Sequence, residues 1–428
     1  MRRPTGITFL VVALGFLLGA PPAYPVRWDC PLDTNGDGIM DNVAPVPGVK
    51  CMHLAAGDGL VTMGDGTQMY IFGFADVTNQ PLDNLVASAT LGANFSAPTI
   101  TAQEGDILYL TVTNVGMALR PDLFDAHSVH WHGFPNAAAV FDGLPDASIA
   151  VRMGASLSYF YKVVTPGTFM YHCHVEVVEH MQMGMLGNLY VRPIQDSAVD
   201  NNNVPLLNLG TLRFPGAPAF AGFAYNDCPP GQADNTLCGS TGYDNAFVLQ
   251  IAAFDPAFHN QSEEVQPLPF AAMDDRYPML NGRGYPDTVN PDPIVTAPID
   301  GVTPSQRLSA LITATPGQRI LLRISSLSTT SFHTLESAGI PMRVVGRDAA
   351  LLRGPSLDNG VTPGIDLSYD ANSVTVGGGQ STDVLLQIPQ VPFVVPGETT
   401  YFLYVRELEH MNNDADRFGG MMTEIRVQ

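Results

Sequence analysis

A short apolar signature occurs twice in this chain at a fixed separation: Ile100-Thr101-Ala102 with Gly105 returns as Ile312-Thr313-Ala314 with Gly317, 212 residues later. Around both copies apolar and polar residues alternate, as in Ile107-Leu108-Tyr109-Leu110-Thr111-Val112. Gly, Pro and Asn separate the runs, and no long helical period interrupts them. A period of two turns one face of a strand toward a core, so such runs build sandwiches or barrels of short strands. The repeat then implies one all-β fold used twice. A length of 428 residues, 45% hydrophobic and 14% charged, suffices for two cores. The expected organisation is a signal peptide at 1–23, an arm at 24–52, a first domain at 53–193, a linker at 194–203 and a second domain at 204–428.

Arg2-Arg3, the apolar run Ile7 to Ala20 and the small residues Ala20 and Ala23 have the order of an export signal. The run is too short to span a bilayer comfortably, and no later segment resembles a membrane helix. An exported protein is expected, in the periplasm, at the cell surface or outside the cell. A formal net charge of −21 makes nucleic acid an improbable partner. Five cysteines fit an oxidising compartment if four pair locally, Cys30 with Cys51 and Cys228 with Cys238, leaving Cys173 for chemistry. Within the first loop, Asp33, Asn35, Asp37 and Asp41 place oxygens at alternate positions around Gly38, as in a calcium loop. The twelfth position is Ala44 rather than Glu, so a weak structural calcium site or an ion-free Asx-rich turn is expected.

Two clusters carry chemistry. His127-Ser128-Val129-His130-Trp131-His132 precedes Tyr171-His172-Cys173-His174, which His180 and Met185 follow. A thiolate, imidazoles and a thioether form a soft donor set suited to copper. Read as strands, His172 and His174 face away from Cys173, and His130 shares a face with His132. His127 can lie on the Cys173 side. Two metal centres are expected, back to back. In the second copy, Phe169 to His174 is answered by Phe402-Leu403-Tyr404-Val405-Arg406-Glu407, and Gly184-Met185 by Gly420-Met421. That domain is therefore read as keeping the scaffold without its copper ligands.

With His130-Trp131-His132-Gly133, Asp142-Gly143-Leu144-Pro145 and His172-Cys173-His174, the chain resembles multicopper oxidases, in particular two-domain laccases with type 1 copper in the first domain and the amino-terminal part of large manganese-oxidising members. The resemblance implies two cupredoxin-like Greek-key β-sandwich domains, with His127, Cys173, His180 and axial Met185 as type 1 ligands. It also implies His130 as a type 2 ligand and His132, His172 and His174 as type 3 ligands. Five residues separate His174 from His180 where the family commonly has three, and Glu176 and Glu179 lie in that loop. The family's trinuclear centre uses eight histidines, whereas this chain supplies four besides His259, His333 and His410. A homo-oligomer such as a trimer, or a second ligand-bearing chain, would complete the centre, with a small molecule or ion as electron donor. The expected activity is a copper oxidoreductase reducing oxygen. The alternatives are a non-catalytic electron relay and a nitrite-reductase-like enzyme with type 2 copper between subunits.

Overall fold

The computed structural model describes residues 26–41, 46–199, 204–209, 219–228, 237–296, 303–355, 364–390 and 399–428. The expected signal peptide, position 44 and residues 200–203 of the linker lie outside them.

The first unit has eight strands: β1 (Val49–Thr62), β2 (Gln68–Asp76), β3 (Ala97–Gln103), β4 (Ile107–Gly116), β5 (His130–His132), β6 (Ser156–Lys162), β7 (Gly167–His172) and β8 (Leu186–Arg192). They form two four-stranded sheets, ordered β2-β1-β4-β6 and β3-β8-β7-β5. Alternate residues of both sheets, among them Leu54, Phe72, Leu110, Trp131, Tyr159, Phe169 and Leu189, close one buried core, and Cys173 and Met185 belong to it. Each large apolar side chain so buried contributes about 1.5–3 kcal/mol.

The second unit repeats the plan. Its short strands are β9 (Gly222–Phe223) and β10 (Gly242–Tyr243), which pair with each other, and β13 (Ile294–Thr296) and β14 (Thr303–Gln306), which do likewise. One large sheet contains β11 (Asn245–Phe254), β12 (Tyr277–Leu280), β16 (Arg319–Ser326), β18 (Met342–Arg347), β19 (Ala350–Leu351), β20 (Tyr369–Ala371) and β22 (Ser381–Gln387). The other contains β15 (Ile312–Ala314), β17 (His333–Ala338), β21 (Ser373–Val376), β23 (Thr399–Val405) and β24 (Met422–Val427). Parallel pairing of β1 with β4 recurs as β11 with β16, and that of β3 with β8 recurs as β15 with β24. Even the turn after the repeated signature is preserved. Gln103 N donates to the Asp106 side chain and Thr315 N to the Gln318 side chain, with Gly105 and Gly317 at positive φ of 97° and 85°.

A third apolar cluster joins the units: Ile71, Phe95, Met170 and Leu186 meet Ala252, Phe254, Met279 and Leu327. The Phe95 and Phe254 rings lie 4.3 Å apart. Polar bonds cross the same seam, from Ser325 to Asn188 at 2.7 Å and from Ser381 to the Thr168 carbonyl at 2.6 Å. Disulfides link Cys30 with Cys51 and Cys228 with Cys238, and Cys173 is free and buried. No helix among the described residues is long and apolar enough to cross a membrane.

Candidate metal centre

Strand β7 lies between β8 and β5 with all six of its residues buried, so every side chain on it is committed to one face or the other. Cys173 follows in the same extended run. Its sulfur lies 3.2 Å from His180 Nδ1 and 4.0 Å from His127 Nδ1, and it accepts a hydrogen bond from Ser128 N at 3.4 Å. His127 reaches this point because it bridges to Val151, and His180 because it sits on a short helix, Val177–Gln182. That helix takes up the extra length between His174 and His180, and begins after Glu176 at a left-handed φ of 45°. Met185 is fully buried beneath, fixed by the bonds Cys173 N to Met185 O at 3.0 Å and Met185 N to His180 O at 2.8 Å.

Burial dominates the electrostatics here. It holds His180 neutral, with its pKa pushed down to about 4, depresses His127 as well, and raises the Cys173 thiol to about 11. Neutral imidazoles are competent ligands, whereas the thiolate needs a cation to offset its charge. Two imidazole nitrogens and one sulfur whose ligand atoms lie within 4.8 Å of one another fit copper. Beyond the rings, Asp125 and Glu176 each stand 4.0 Å from His180 Nε2. Burial, with Glu176 and Asp125 adding charge, pushes the nearby Glu179 carboxyl up to about 7.

On the opposite face four imidazoles gather. The His130 ring lies 5.7, 5.3 and 5.2 Å from those of His132, His172 and His174, and His132 Nδ1 is 3.2 Å from His172 Nε2. Ligand atoms of His130, His132 and His172 converge as for one ion, and the Asp142 carbonyl lies 2.6 Å from His130 Nδ1. Gly379 of the second unit covers His132 so closely that a Cβ there would sit 2.9 Å from Nε2.

The Asp-rich loop is closed by its own hydrogen bonds. Asp33 accepts from the N–H groups of Gly36, Asp37 and Gly38 at 2.8, 3.2 and 2.9 Å, Asn35 and Asp37 each accept from the N–H two residues on, and Asp41 accepts from Thr34 N at 2.7 Å. Among the described residues it is not one of the convergent ligand groups. His259 is engaged on both ring nitrogens, with the carbonyls of Tyr70 at 2.6 Å and Gln182 at 2.9 Å, and so braces the His180 helix.

The second unit departs from the sequence reading. Val405 N donates to Met421 O at 3.0 Å, and Met421 N to His410 O at 2.9 Å, reproducing the bonds among Cys173, Met185 and His180. Val405 therefore occupies the Cys173 position, not that of His172, His410 answers to His180, and Met421 to Met185. Pairing agrees: His130 opposes His172 as Glu336 opposes Tyr404, which brings His333 to the place of His127. Of these four positions, only that of Cys173 has changed residue type. The coincidence of Phe169-Met170-Tyr171 with Phe402-Leu403-Tyr404 hid the one-residue shift, although Gly420-Met421 signalled it. The four-histidine face is gone, its positions held by Glu336, Ala338, Tyr404 and Arg406, with Arg406 bonded to Glu336 at 3.1 Å.

Residues 75–196, which include every residue of both histidine groups, match the family model described as multicopper oxidase. A multicopper oxidase of Mycobacterium tuberculosis is 34% identical over 91 residues, 21% of this chain and 16% of that protein's length. The fold resembles a blue copper oxidase from Nitrosomonas europaea, with a TM-score of 0.59 and 20% identity over 89% of this chain and 86% of that one. A copper nitrite reductase from the same organism gives a TM-score of 0.53 and 15% identity over 89% and 94%. The chain therefore carries, at residues 75–196, a domain of the multicopper oxidase family.

Proposed function

We propose that the chain is an exported copper oxidoreductase of the multicopper oxidase type, which takes single electrons from a small donor, a phenol or a metal ion, and delivers them to a second centre for oxygen reduction. The observation that carries this reading is Cys173 meeting His127 and His180 on one face while its neighbours His172 and His174 join His130 and His132 on the other. Copper held by His127, Cys173, His180 and Met185 would supply one-electron transfer with little change of geometry, and copper at the four histidines would supply the oxygen chemistry.

The protein's own contribution is position and enclosure. Complete burial of His127, Cys173, His180 and Met185 excludes water and holds the donors in place before any electron arrives. The bonds from Cys173 to His172 and His174 link the faces covalently. Asp125 and Glu176 put negative charge beside His180, which favours a cationic donor. His53 is occupied by Thr113 at 2.7 Å and His259 by two carbonyls, while His333 and His410 face each other within the second unit. The other half of a trinuclear centre would come from another copy or from a different ligand-bearing chain.

Copper counting with oxygen uptake tests the proposal. At least two copper ions per chain, a blue absorption band and oxygen consumed with a reducing donor are expected. One copper ion with a blue band and no turnover would instead support an electron relay, and turnover of nitrite without oxygen would support the nitrite-reductase reading. A structural calcium ion at Asp33, Asn35, Asp37 and Asp41 is a separate proposal. Added calcium should raise the melting temperature of the wild type and not that of an Asp33→Ala variant.

A further inference from the structure

We propose that the second unit holds a closed Cu(I) site made by His333, His410 and Met421, in the position the first unit gives to His127, His180 and Met185. The His333 and His410 rings lie 5.0 Å apart at 47°, against 5.1 Å and 56° for His127 and His180. Strand pairing that places the rings is the same in both units, so the match of spacing follows from the fold.

The Nδ1 atoms of His333 and His410 are both buried and, among the described residues, without a hydrogen-bond partner. Leaving two such atoms unpaired is costly, and an ion between them accounts for both. His333 Nε2 lies 3.0 Å from the Ser328 hydroxyl. When Nε2–H donates to that oxygen, Nδ1 keeps its lone pair for a cation. Met421 is fully buried, and its backbone is bonded to both His410 and Val405. Two imidazoles and a thioether without a thiolate form a soft, neutral set, and a buried neutral set favours the monovalent ion over a divalent one. Glu407, which accepts from Thr334 N at 3.0 Å, supplies a carboxylate beside His333. Val405 presents methyl groups where Cys173 presents sulfur, so this site carries no blue band.

His410 is half-buried, which gives an ion a way in, and its replacement leaves the first unit untouched. The test is an anaerobic titration of the full chain with Cu(I) against a chromogenic Cu(I) chelator, wild type beside His410→Ala. The variant should hold one Cu(I) fewer per chain while its oxidised blue band is unchanged. Equal copper content in the two overturns the proposal. A second variant, Val405→Cys, restores the missing sulfur and should about double the blue absorbance per chain with Cu(II). A folded Val405→Cys chain with no added absorbance also overturns it. A wild type with no blue band would count against the Cys173 site alone, so the two readings fail separately.

Discussion

One sulfur decides the chemistry at the residue scale. Burial raises the Cys173 thiol to about 11, so ionisation must be coupled to arrival of a cation. If Met185 is the axial donor proposed above, Met185→Leu should keep the blue band while raising the reduction potential, because a weak donor is replaced by hydrocarbon. Redox titration followed at the band checks this, and a lowered potential would contradict it. Glu179 gives a second prediction. Its folded pKa of about 7 lies above the ordinary 4.5, so the protonated form contributes stability that is complete below the unfolded value and lost as pH rises through about 7. The buried histidines pull the other way, since pKa values depressed to about 4, as at His180, His259 and His333, add stability as pH rises toward 6.5. Metal-free wild type should therefore gain less melting temperature between pH 5 and pH 8 than Glu179→Gln does, and an equal change in both would contradict the assignment.

At the scale of elements, alternation along β5 and β7 made the sorting of Cys173 from the four grouped histidines legible from the sequence. A strand buried on both sides leaves its residues only two directions. Local cysteine pairs were legible for a similar reason, since each closes a loop rich in turn residues. The His180 helix was not, because six residues carry too little periodicity to announce a helix. Nor was the register of β23. Residue similarity placed Val405 opposite His172, whereas its hydrogen bond to Met421 fixes it opposite Cys173, and His333 and His410 consequently looked isolated. Replacing Cys30 and Cys51 together by alanine should cost roughly 3 kcal/mol by the loop-entropy relation, read from denaturant unfolding. The link spans 21 residues and ties the Asp-rich loop to β1, so a loss near zero would mean that the arm is held by other contacts.

For the whole molecule, two copies of one topology have diverged in charge and ligands while keeping their hydrogen-bond frame. An apolar seam holds them together, and Phe254→Ala there should cost about 3–5 kcal/mol, with a second unfolding transition appearing as the units separate. A single transition at the wild-type midpoint would contradict that view of the seam. Because only four histidines gather opposite Cys173, the proposed oxygen chemistry is expected to depend on assembly, and activity should fall with dilution below the dissociation constant of the complex. Beneath all of this is the claim that Cys173 is a metal-bound thiolate. Visible absorption of copper-loaded wild type against Cys173→Ser tests it most directly. The account predicts an intense blue band that vanishes in the variant while the fold is retained, and an unchanged spectrum would contradict it.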